Sequence, residues 1–280
     1  MIVDCHTHAW RKWPYNPPVP DHNSRGQVEQ LLWEMDRNKV DKAVLVCARI
    51  DYNPDNNDYV YDCVQKYPDR LIQFADVDCS WTVTYHQSGS AQRLAESANR
   101  YNLVGFTHYL RSDYDWFDSA EGISFFETAA DLKLIASLAL GASWQPFLRQ
   151  LAKRFPSVIF LCHHMGGAKS SVSPPYSDFD QILKSAELPN IYIKLSGFHY
   201  ASSISWDYPY SDTLWMVQKL YHYYGPDRLC WASDYPPVQV HMTYQQSLEV
   251  VRKHCQFFSE NDLDLVLGGN IQRILNQAGK

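Results

Sequence analysis

The chain has 280 residues, of which 45% are hydrophobic and 20% charged, and its formal net charge is −6. This length suits one α/β barrel or two smaller domains, and the composition is ordinary for a globular enzyme. The acidic balance argues against a nucleic-acid partner, which requires a basic face. It remains compatible with a local basic pocket for an anionic small-molecule substrate.

The seven cysteines are scattered and form no CxxC pair, and several lie in apolar, strand-like runs. We therefore interpret them as reduced core residues and expect a cytoplasmic protein. No basic start followed by an apolar stretch is present, so we expect no signal peptide. No window of about 18 apolar residues exists either, which argues against a membrane span.

Apolar, β-branched runs alternate with amphipathic segments along the chain. The runs are nearly continuous, as in parallel strands covered on both faces, and predict strands over residues 1–8, 42–50, 70–78, 103–110, 133–140, 157–164, 191–197 and 228–234. The segments between them predict helices over residues 26–39, 58–67, 91–101, 122–131, 144–155, 179–186, 212–223 and 243–258. Residues 260–277 predict a closing helix that Gly268 and Gly269 break.

Eight strand–helix units predict an α/β fold, a single-domain distorted (β/α)8 TIM barrel over residues 1–280. A doubly wound sheet is the alternative, but it rarely needs eight consecutive units, and no glycine-rich phosphate motif follows the first strand. Residues 9–25, 111–121 and 165–178 resist assignment to helix or strand. Each segment follows a predicted strand on the side where barrels carry active sites, so we expect these loops to wall a pocket.

Polar residues gather at the carboxyl ends of three predicted strands. The first strand ends in His6 and His8, which an extended backbone directs to the same face. The sixth ends in His163 and His164, which would point to opposite faces, and the eighth ends in Asp234. A closed barrel brings these ends to one mouth, where imidazoles and a carboxylate suit one divalent ion such as Zn²⁺.

Each feature also has a structural interpretation when it is considered alone. A single HxH pair in an apolar run is more often structural than metal-binding, and Asp234 before Tyr-Pro-Pro could cap a turn. The joint placement at the ends of strands one, six and eight is what favours a functional site. Asp234 could then bind the metal and accept a proton from its water, whose pKa a metal lowers towards about 7.

With these motifs in this order, the chain resembles the amidohydrolase superfamily and, within it, the amidohydrolase-2 group. The resemblance extends over almost the whole length and rests on the segments VDCHTH (3–8), VDKAVLV (40–46), NDYV (57–60), YPDR (67–70), VGFTH (104–108), HMGG (164–167), IYIKLSG (191–197), WASDYP (231–236) and GNIQRIL (269–275). The group contains sugar-acid lactonases, 2-pyrone-4,6-dicarboxylate lactonase and metal-dependent decarboxylases of aromatic acids. The resemblance implies that His6, His8, His164 and Asp234 are catalytic residues and metal ligands, with Asp234 as the base on the attacking water. It favours His164 over His163, because His164 directly precedes the Met-Gly-Gly turn.

The chain departs from the family pattern in two places. Many superfamily members carry a further metal-binding histidine at the end of strand five, whereas residues 135–141 here read IASLALG. The resemblance thus implies one ion with fewer protein ligands, held weakly or absent, as in some related lactonases. Decarboxylases of the group typically use that histidine, so its absence favours a lactonase. Lactonase relatives often have a basic residue where Thr107 stands here, which removes one expected contact to an anionic group of the substrate.

Other polar side chains near strand ends could shape a substrate pocket. The candidates are Arg49, His108, Arg111, His199 and Tyr200. An arginine can hold a substrate carboxylate through paired, charge-assisted hydrogen bonds, although a surface ion pair explains each residue equally well when it is taken singly. Aromatic residues of the loops could stack on a ring-shaped substrate or simply pack the loops. For Lys194, inside strand seven, a buried ion pair competes with a catalytic role.

These observations predict a hydrolase that opens a small lactone or related cyclic ester of a carboxylated or sugar acid, with water activated by a metal or by Asp234. One alternative is a metal-dependent decarboxylase of an aromatic or unsaturated carboxylic acid. A second alternative is a barrel that binds a ligand without turnover. The intact set of His6, His8, His164 and Asp234 counts against that second alternative.

Overall fold

Eight parallel strands follow one another around a barrel in the computed structural model, which describes residues 1–15, 19–170 and 176–278. The strands are β1 (Val3–Thr7), β2 (Lys42–Val46), β3 (Leu71–Asp76), β4 (Gly105–Tyr109), β5 (Ile135–Ala139), β6 (Phe160–Cys162), β7 (Ile191–Leu195) and β8 (Leu229–Trp231). Neighbours along the chain are also hydrogen-bonded neighbours in the sheet, from β1 to β8 in order. The predicted distorted TIM barrel is confirmed, although every strand is shorter than predicted.

Helices connect the strands and cover the outside of the barrel. They are α1 (Val28–Asn38), α2 (Asn56–Lys66), α3 (Ser90–Tyr101), α4 (Ala120–Asp131), α5 (Gln145–Arg154), α6 (Ser177–Lys184), α7 (Phe198–Ala201), α8 (Leu214–Tyr224), α9 (Tyr244–Glu249), α10 (Glu260–Asp264) and α11 (Asn270–Gln277). The short helix α7 is not predicted from the sequence, and a 3-10 turn occupies part of the predicted loop 111–121. No helix in the described ranges combines the length and the apolar character needed to cross a bilayer.

Parts of two predicted loops cannot be compared with the fold. Within the predicted loop 9–25, residues 16–18 lie outside the described residues, and so do residues 171–175 of the predicted loop 165–178. The remaining parts of both segments stand at the carboxyl ends of β1 and β6, as the sequence predicts.

The barrel closes irregularly between β8 and β1. Past the end of β8, the amide of Asp234 donates 2.9 Å to the carbonyl oxygen of His6, and the amide of His8 donates 2.7 Å to that of Tyr235. Only an isolated bridge between Thr7 and Tyr235 joins these two segments as sheet. The closure therefore lies at the carboxyl ends of the strands, where the polar residues of the HxH pair and Asp234 meet.

The apolar residues form two layers. The smaller layer draws side chains from seven of the strands, among them Val3, Phe74, Leu161 and Cys230, together with Ile271 of α11. Because the barrel interior is the space that those strands share, this layer fills the barrel, with α11 covering its amino-terminal end. The larger layer lies between strands and helices. The carboxyl end of the interior is left for polar side chains.

The closing helix does not break at its two glycines, so that prediction is wrong. A π-helical turn over Leu265–Gly269 joins α10 to α11 without interruption. Gly268 has a packing role, since a Cβ at this position would lie 2.4 Å from the carbonyl oxygen of Met1. Only glycine permits this contact, which seats the tail against β1.

Candidate active site

The four residues expected at the barrel mouth lie together and are largely buried. His6 Nε2 and His8 Nε2 are 3.1 Å apart, and each lies 3.5 Å from Asp234 Oδ1. His164 Nε2 lies 4.0 Å from the same oxygen. Three nitrogens from β1 and the end of β6 therefore surround one carboxylate from the end of β8.

A β-bulge helps to aim the HxH pair. Asp4 pairs with Ala43 but Thr7 pairs with Leu45, so β1 contains one residue more than the facing segment of β2. An extra residue reverses the alternation of side chains along a strand. As a result Asp4 and Thr7 form hydrogen bonds outside the interior layer, whereas His6 projects into the barrel.

His163 and His164 do not point to opposite faces, which corrects the sequence-based expectation. The rings of His163 and His164 lie 4.4 and 4.9 Å from that of His6, and the three residues form a possible ligand group. The strand ends at Cys162, and His164 adopts a left-handed backbone with φ of 46°. Because regular strand alternation has ended, both rings turn to the same side.

Lys194 lies in the middle of this cluster, with its side chain inside the barrel. Its Nζ donates 2.7 Å to Ser137 Oγ and lies 3.0 Å from His6 Nδ1. Ser137 Oγ in turn lies 2.7 Å from His163 Nε2. Among the described residues no carboxylate forms an ion pair with Lys194, so the buried ion pair considered for it is absent. Burial lowers the pKa of Lys194 to about 8.

The charge of Asp234 is supported by its neighbours. Burial opposes ionisation, but His164 and His8 beside the carboxylate outweigh it and hold the pKa of Asp234 below its ordinary value. Burial also lowers the pKa of His6 well below the ordinary range. At neutral pH the cluster thus combines a carboxylate, able to accept a proton, with a neutral imidazole of His6.

The donor set fits one divalent ion. Two nitrogens bound to zinc at about 2.0–2.1 Å lie about 3–3.5 Å apart, and the separations of 3.1 and 3.5 Å among His6, His8 and Asp234 are of that size. His8 Nδ1 lies 2.7 Å from the carbonyl oxygen of Val46, which leaves its Nε2 lone pair facing the cluster. Asp234 Oδ2 is buried and has no hydrogen-bond partner, so this carboxylate oxygen is available to coordinate a cation.

A cavity of about 420 Å³ opens beside the cluster at the barrel mouth. Its walls combine one histidine of the cluster, aromatic side chains, one guanidinium and one carboxylate, and they include His8, Tyr15, Arg49, Asp51, Trp81 and Tyr109. Such a volume and lining suit a small molecule, with apolar walls for a ring and one positive group for orientation.

Three of the predicted substrate-binding residues lie near this mouth. Arg49 lines the cavity, with its Nε 3.6 Å from Asp76 Oδ1. The Tyr200 ring packs 5.4 Å from that of His164, and Asp234 raises the pKa of Tyr200 in addition to burial. His199 is buried with both ring nitrogens unpartnered, and burial lowers its pKa to about 4.

The other two predicted substrate-binding residues are not brought to the cluster. His108 points into the layer between β4 and α4, where its ring lies 5.5 Å from Phe125, since Thr107 takes the inward position. Arg111 is exposed on the rim, 5.7 Å above the ring of Tyr85. Their predicted role in substrate binding is therefore not supported by proximity.

Sequence reasoning missed Ser137 behind the cluster and left the role of Lys194 open. Ser137 and Lys194 face inward two positions after Ile135 and Tyr192, both of which belong to the interior layer. Ser196 is also missed, and its Oγ lies 2.9 Å from His164 Nδ1. A polar residue at an inward-facing position of an otherwise apolar strand is the signal that could have identified Ser137.

Comparisons with known proteins agree with this architecture. No curated protein matches the chain significantly. A protein from Acinetobacter baumannii described as a probable 2-pyrone-4,6-dicarboxylic acid hydrolase, with citric acid bound, is 18% identical, with a TM-score of 0.78 over 98% of this chain and 99% of that one. A zinc-bound amidohydrolase from Burkholderia multivorans has the same identity and TM-score over 99% of both chains.

A third solved structure is a 2,6-dihydroxybenzoate decarboxylase from Rhizobium, which is 14% identical with a TM-score of 0.72 over 98% of both chains. At these identities the structures establish a shared fold rather than a shared reaction. The family model described as amidohydrolase, in contrast, matches residues 3–277 of the sequence. The chain therefore belongs to the amidohydrolase family.

Proposed function

We propose that this chain, as one catalytic domain over residues 1–280, is a hydrolase that opens a small lactone or related cyclic ester. The observation that carries the proposal is the ionised, buried carboxylate of Asp234, which lies within 4.0 Å of three imidazole nitrogens beside the mouth cavity. A carboxylate in that position can take a proton from an attacking water.

Each of the four residues of the cluster has its own role in ester hydrolysis. Asp234 accepts the proton of water as the oxygen attacks the carbonyl carbon, and it returns that proton to the leaving alkoxide. When no ion occupies the cluster, an N–H of the His6 and His8 pair stabilises the negative charge that develops on the carbonyl oxygen. His8 and His164 hold the carboxylate between them through contacts of 3.5 and 4.0 Å.

The same residues would hold one divalent ion, for which Zn²⁺ is our proposal. His6, His8, His164 and Asp234 supply nitrogen and oxygen ligands of the kind that zinc prefers. When bound, such an ion would polarise the carbonyl and lower the pKa of water towards about 7. The zinc found in the Burkholderia multivorans structure supports this choice.

The mouth cavity supports a substrate that is flat and carries a negative charge. Tyr15, Trp81 and Tyr109 offer ring faces, and the same cavity contains the positive group of Arg49 as well as the carboxylate of Asp51. A guanidinium pairs with a carboxylate through two parallel hydrogen bonds. A carboxylated lactone would use both features.

A coupled screen tests the proposal. Purified protein is analysed for metal and assayed with a panel of lactones by a pH indicator, with and without chelator, while a panel of aromatic acids is assayed for release of CO₂. We expect acid release from at least one carboxylated lactone. Release of CO₂ without lactone opening would replace the proposal with a decarboxylase, and no turnover of either panel would favour a ligand-binding barrel.

A further inference from the structure

His163 is a buried histidine with one ring nitrogen that lacks a partner in the protein. The residue is 2% exposed, and its Nε2 lies 2.7 Å from Ser137 Oγ. Its Nδ1 is buried and forms no hydrogen bond with any described residue. A buried polar atom left without a partner costs about 1–3 kcal/mol, so its presence in a native structure calls for a specific explanation.

The backbone brings this ring into the cluster beside β5. The amide of His163 donates 3.0 Å to the carbonyl oxygen of Leu138, so the residue that follows β6 stays attached to β5. The inward position of β5 holds the small side chain of Ser137, which contacts the His163 ring. That ring reaches His6, with ring centroids 4.4 Å apart. His163 therefore places an imidazole beside β5, a strand that has no histidine of its own.

The four imidazoles of the cluster share one arrangement of their nitrogens. In each ring, a polar group outside the cluster contacts one nitrogen and leaves the other for the cluster. The nitrogens contacted in this way are Nδ1 of His6, His8 and His164 and Nε2 of His163. Metal-binding histidines show this pattern, because a hydrogen bond to one nitrogen orients the ring while the other nitrogen binds the ion. His163 thus resembles the three histidines already assigned to the ion.

We propose that His163 is a further ligand of the ion in this cluster and binds it through Nδ1. The inference rests on the ion of the proposed function and not on the lactone substrate. Ligand atoms of His6, His163 and His164 lie within 4.8 Å of one another. Two nitrogens on opposite sides of one zinc ion are about 4.2 Å apart, so a small approach of the rings completes the site. The ion then has four imidazole ligands and one carboxylate, and not the reduced set expected from the sequence.

The charges next to these rings are compatible with a further neutral ligand. Lys194 Nζ contacts Ser137 Oγ at 2.7 Å and His6 Nδ1 at 3.0 Å, whereas His6 Nε2 faces His8. The carboxylate of Asp234, 3.5 Å from His6 Nε2, supplies the negative charge of the site. An imidazole binds a metal in its neutral form. His163 therefore adds a ligand without adding a charge.

NMR of the native protein loaded with cadmium-113 tests this ligation without any substrate. The nuclear spin of this isotope couples to the nitrogen-15 nuclei that bind it directly. In protein labelled with nitrogen-15 at histidine, we expect coupling to three Nε2 atoms and one Nδ1 atom. The coupled Nδ1 belongs to His163, because Nδ1 of the other three rings contacts another group, and it should disappear in His163→Gln. Absence of a coupled Nδ1 in the native protein would overturn the proposal.

Zinc affinity of His163→Gln separates ligation from a merely structural role. Glutamine keeps a polar group where Nε2 contacts Ser137 Oγ but has no atom in place of Nδ1. Competition with a chelator should show zinc binding weakened by more than about 100-fold, since a residue that only orients a ligand typically contributes 10–100-fold. A smaller loss would count against the proposal.

Ser137→Ala is the matched variant, because it removes the hydroxyl beside His163 and leaves Nδ1 in place. Its zinc affinity should fall by about 100-fold at most, and the coupling between Nδ1 and cadmium should persist. A loss as large as in His163→Gln would contradict direct ligation. His22→Gln, at an exposed position, should bind zinc as the native protein does. Absence of lactonase activity would refute the proposed reaction alone, because both metal measurements need no turnover.

Discussion

The backbone amide of Asp234 donates a hydrogen bond of 2.9 Å to the carbonyl oxygen of His6. This bond joins the segment after the last strand to the first strand. It also brings the backbones that carry the Asp234 carboxylate and the His6 imidazole next to each other. Asp234 Oδ1 consequently lies 3.5 Å from His6 Nε2. Closing the barrel and assembling the site are one structural event, so the chemistry depends on the fold being complete.

Asp234→Asn should abolish most of the activity while preserving the fold. The amide cannot accept the proton of water, and general base catalysis typically contributes about 10²–10⁴-fold. We expect kcat to fall by that factor with an unchanged circular dichroism spectrum. Because His164 and His8 stabilise the ionised carboxylate, the thermal midpoint should fall and not rise. Retention of full lactonase activity would remove Asp234 from the mechanism.

Arg49→Met should weaken the binding of carboxylated substrates specifically. A hydrogen bond to a charged group contributes about 1.5–3 kcal/mol, so KM for a carboxylated lactone should rise by roughly 10–100-fold. An uncharged lactone should bind as before, and steady-state kinetics on both substrates give the comparison. Arg100→Met is the matched control, since Arg100 lies on a neighbouring cavity and pairs with Asp58. Equal effects on both lactones would argue against a carboxylate contact.

Acid should destabilise the protein partly through His86. Burial lowers the pKa of His86 to about 4, with His108 adding to the effect and Asp113 opposing it, and the ring stacks on Trp116 at 3.8 Å. The unfolded chain binds a proton below about pH 6.5, whereas the folded chain does so only near pH 4. The contribution of neutral His86 to the free energy of unfolding is therefore complete above the pKa of histidine in the unfolded chain. It is lost progressively as the pH falls towards 4.

Urea unfolding of His86→Gln measures this contribution. The variant should be less stable than the native protein at pH 7.5, and the difference in the free energy of unfolding should narrow as the pH decreases to 4. His22→Gln, at an exposed position, is the control for replacing a histidine by glutamine. A difference for His86→Gln that stays constant over this range would contradict the linkage.

Gly268→Ala should destabilise the protein through a backbone clash. The added Cβ would lie 2.4 Å from the carbonyl oxygen of Met1 and 3.0 Å from the amide nitrogen of Val3, and neither atom can move as a side chain could. Overpacking of this kind typically costs about 1–3 kcal/mol. Gly141→Ala is the control, because no atom lies within 4 Å of its Cβ. Equal unfolding midpoints for the two variants would show that the tail does not need this contact.

Periodicity and strand-end residues were sufficient to predict the architecture and the main cluster. Eight apolar runs specify eight buried parallel strands, and a barrel places all their carboxyl ends at one mouth whatever the loops do. His6, His8, Asp234 and one of the pair His163 and His164 could therefore be assembled from their positions at strand ends, whereas the choice of His164 came from the family resemblance. The role of Gly268 could not be predicted in the same way, because this glycine contacts the distant amino terminus.

The direction of individual side chains depended on tertiary structure. A bulge in β1 turns His6 inward, and a left-handed backbone at His164 places His163 and His164 on the same side. For Lys194 the sequence left a buried ion pair and a catalytic role open, and its partners in the structure are a serine of β5 and a histidine of β1. Backbone irregularities and contacts between distant strands leave no local pattern, because they arise only when the barrel closes. Local sequence therefore specifies which groups reach the mouth, and closure of the barrel specifies which atoms they present to one another.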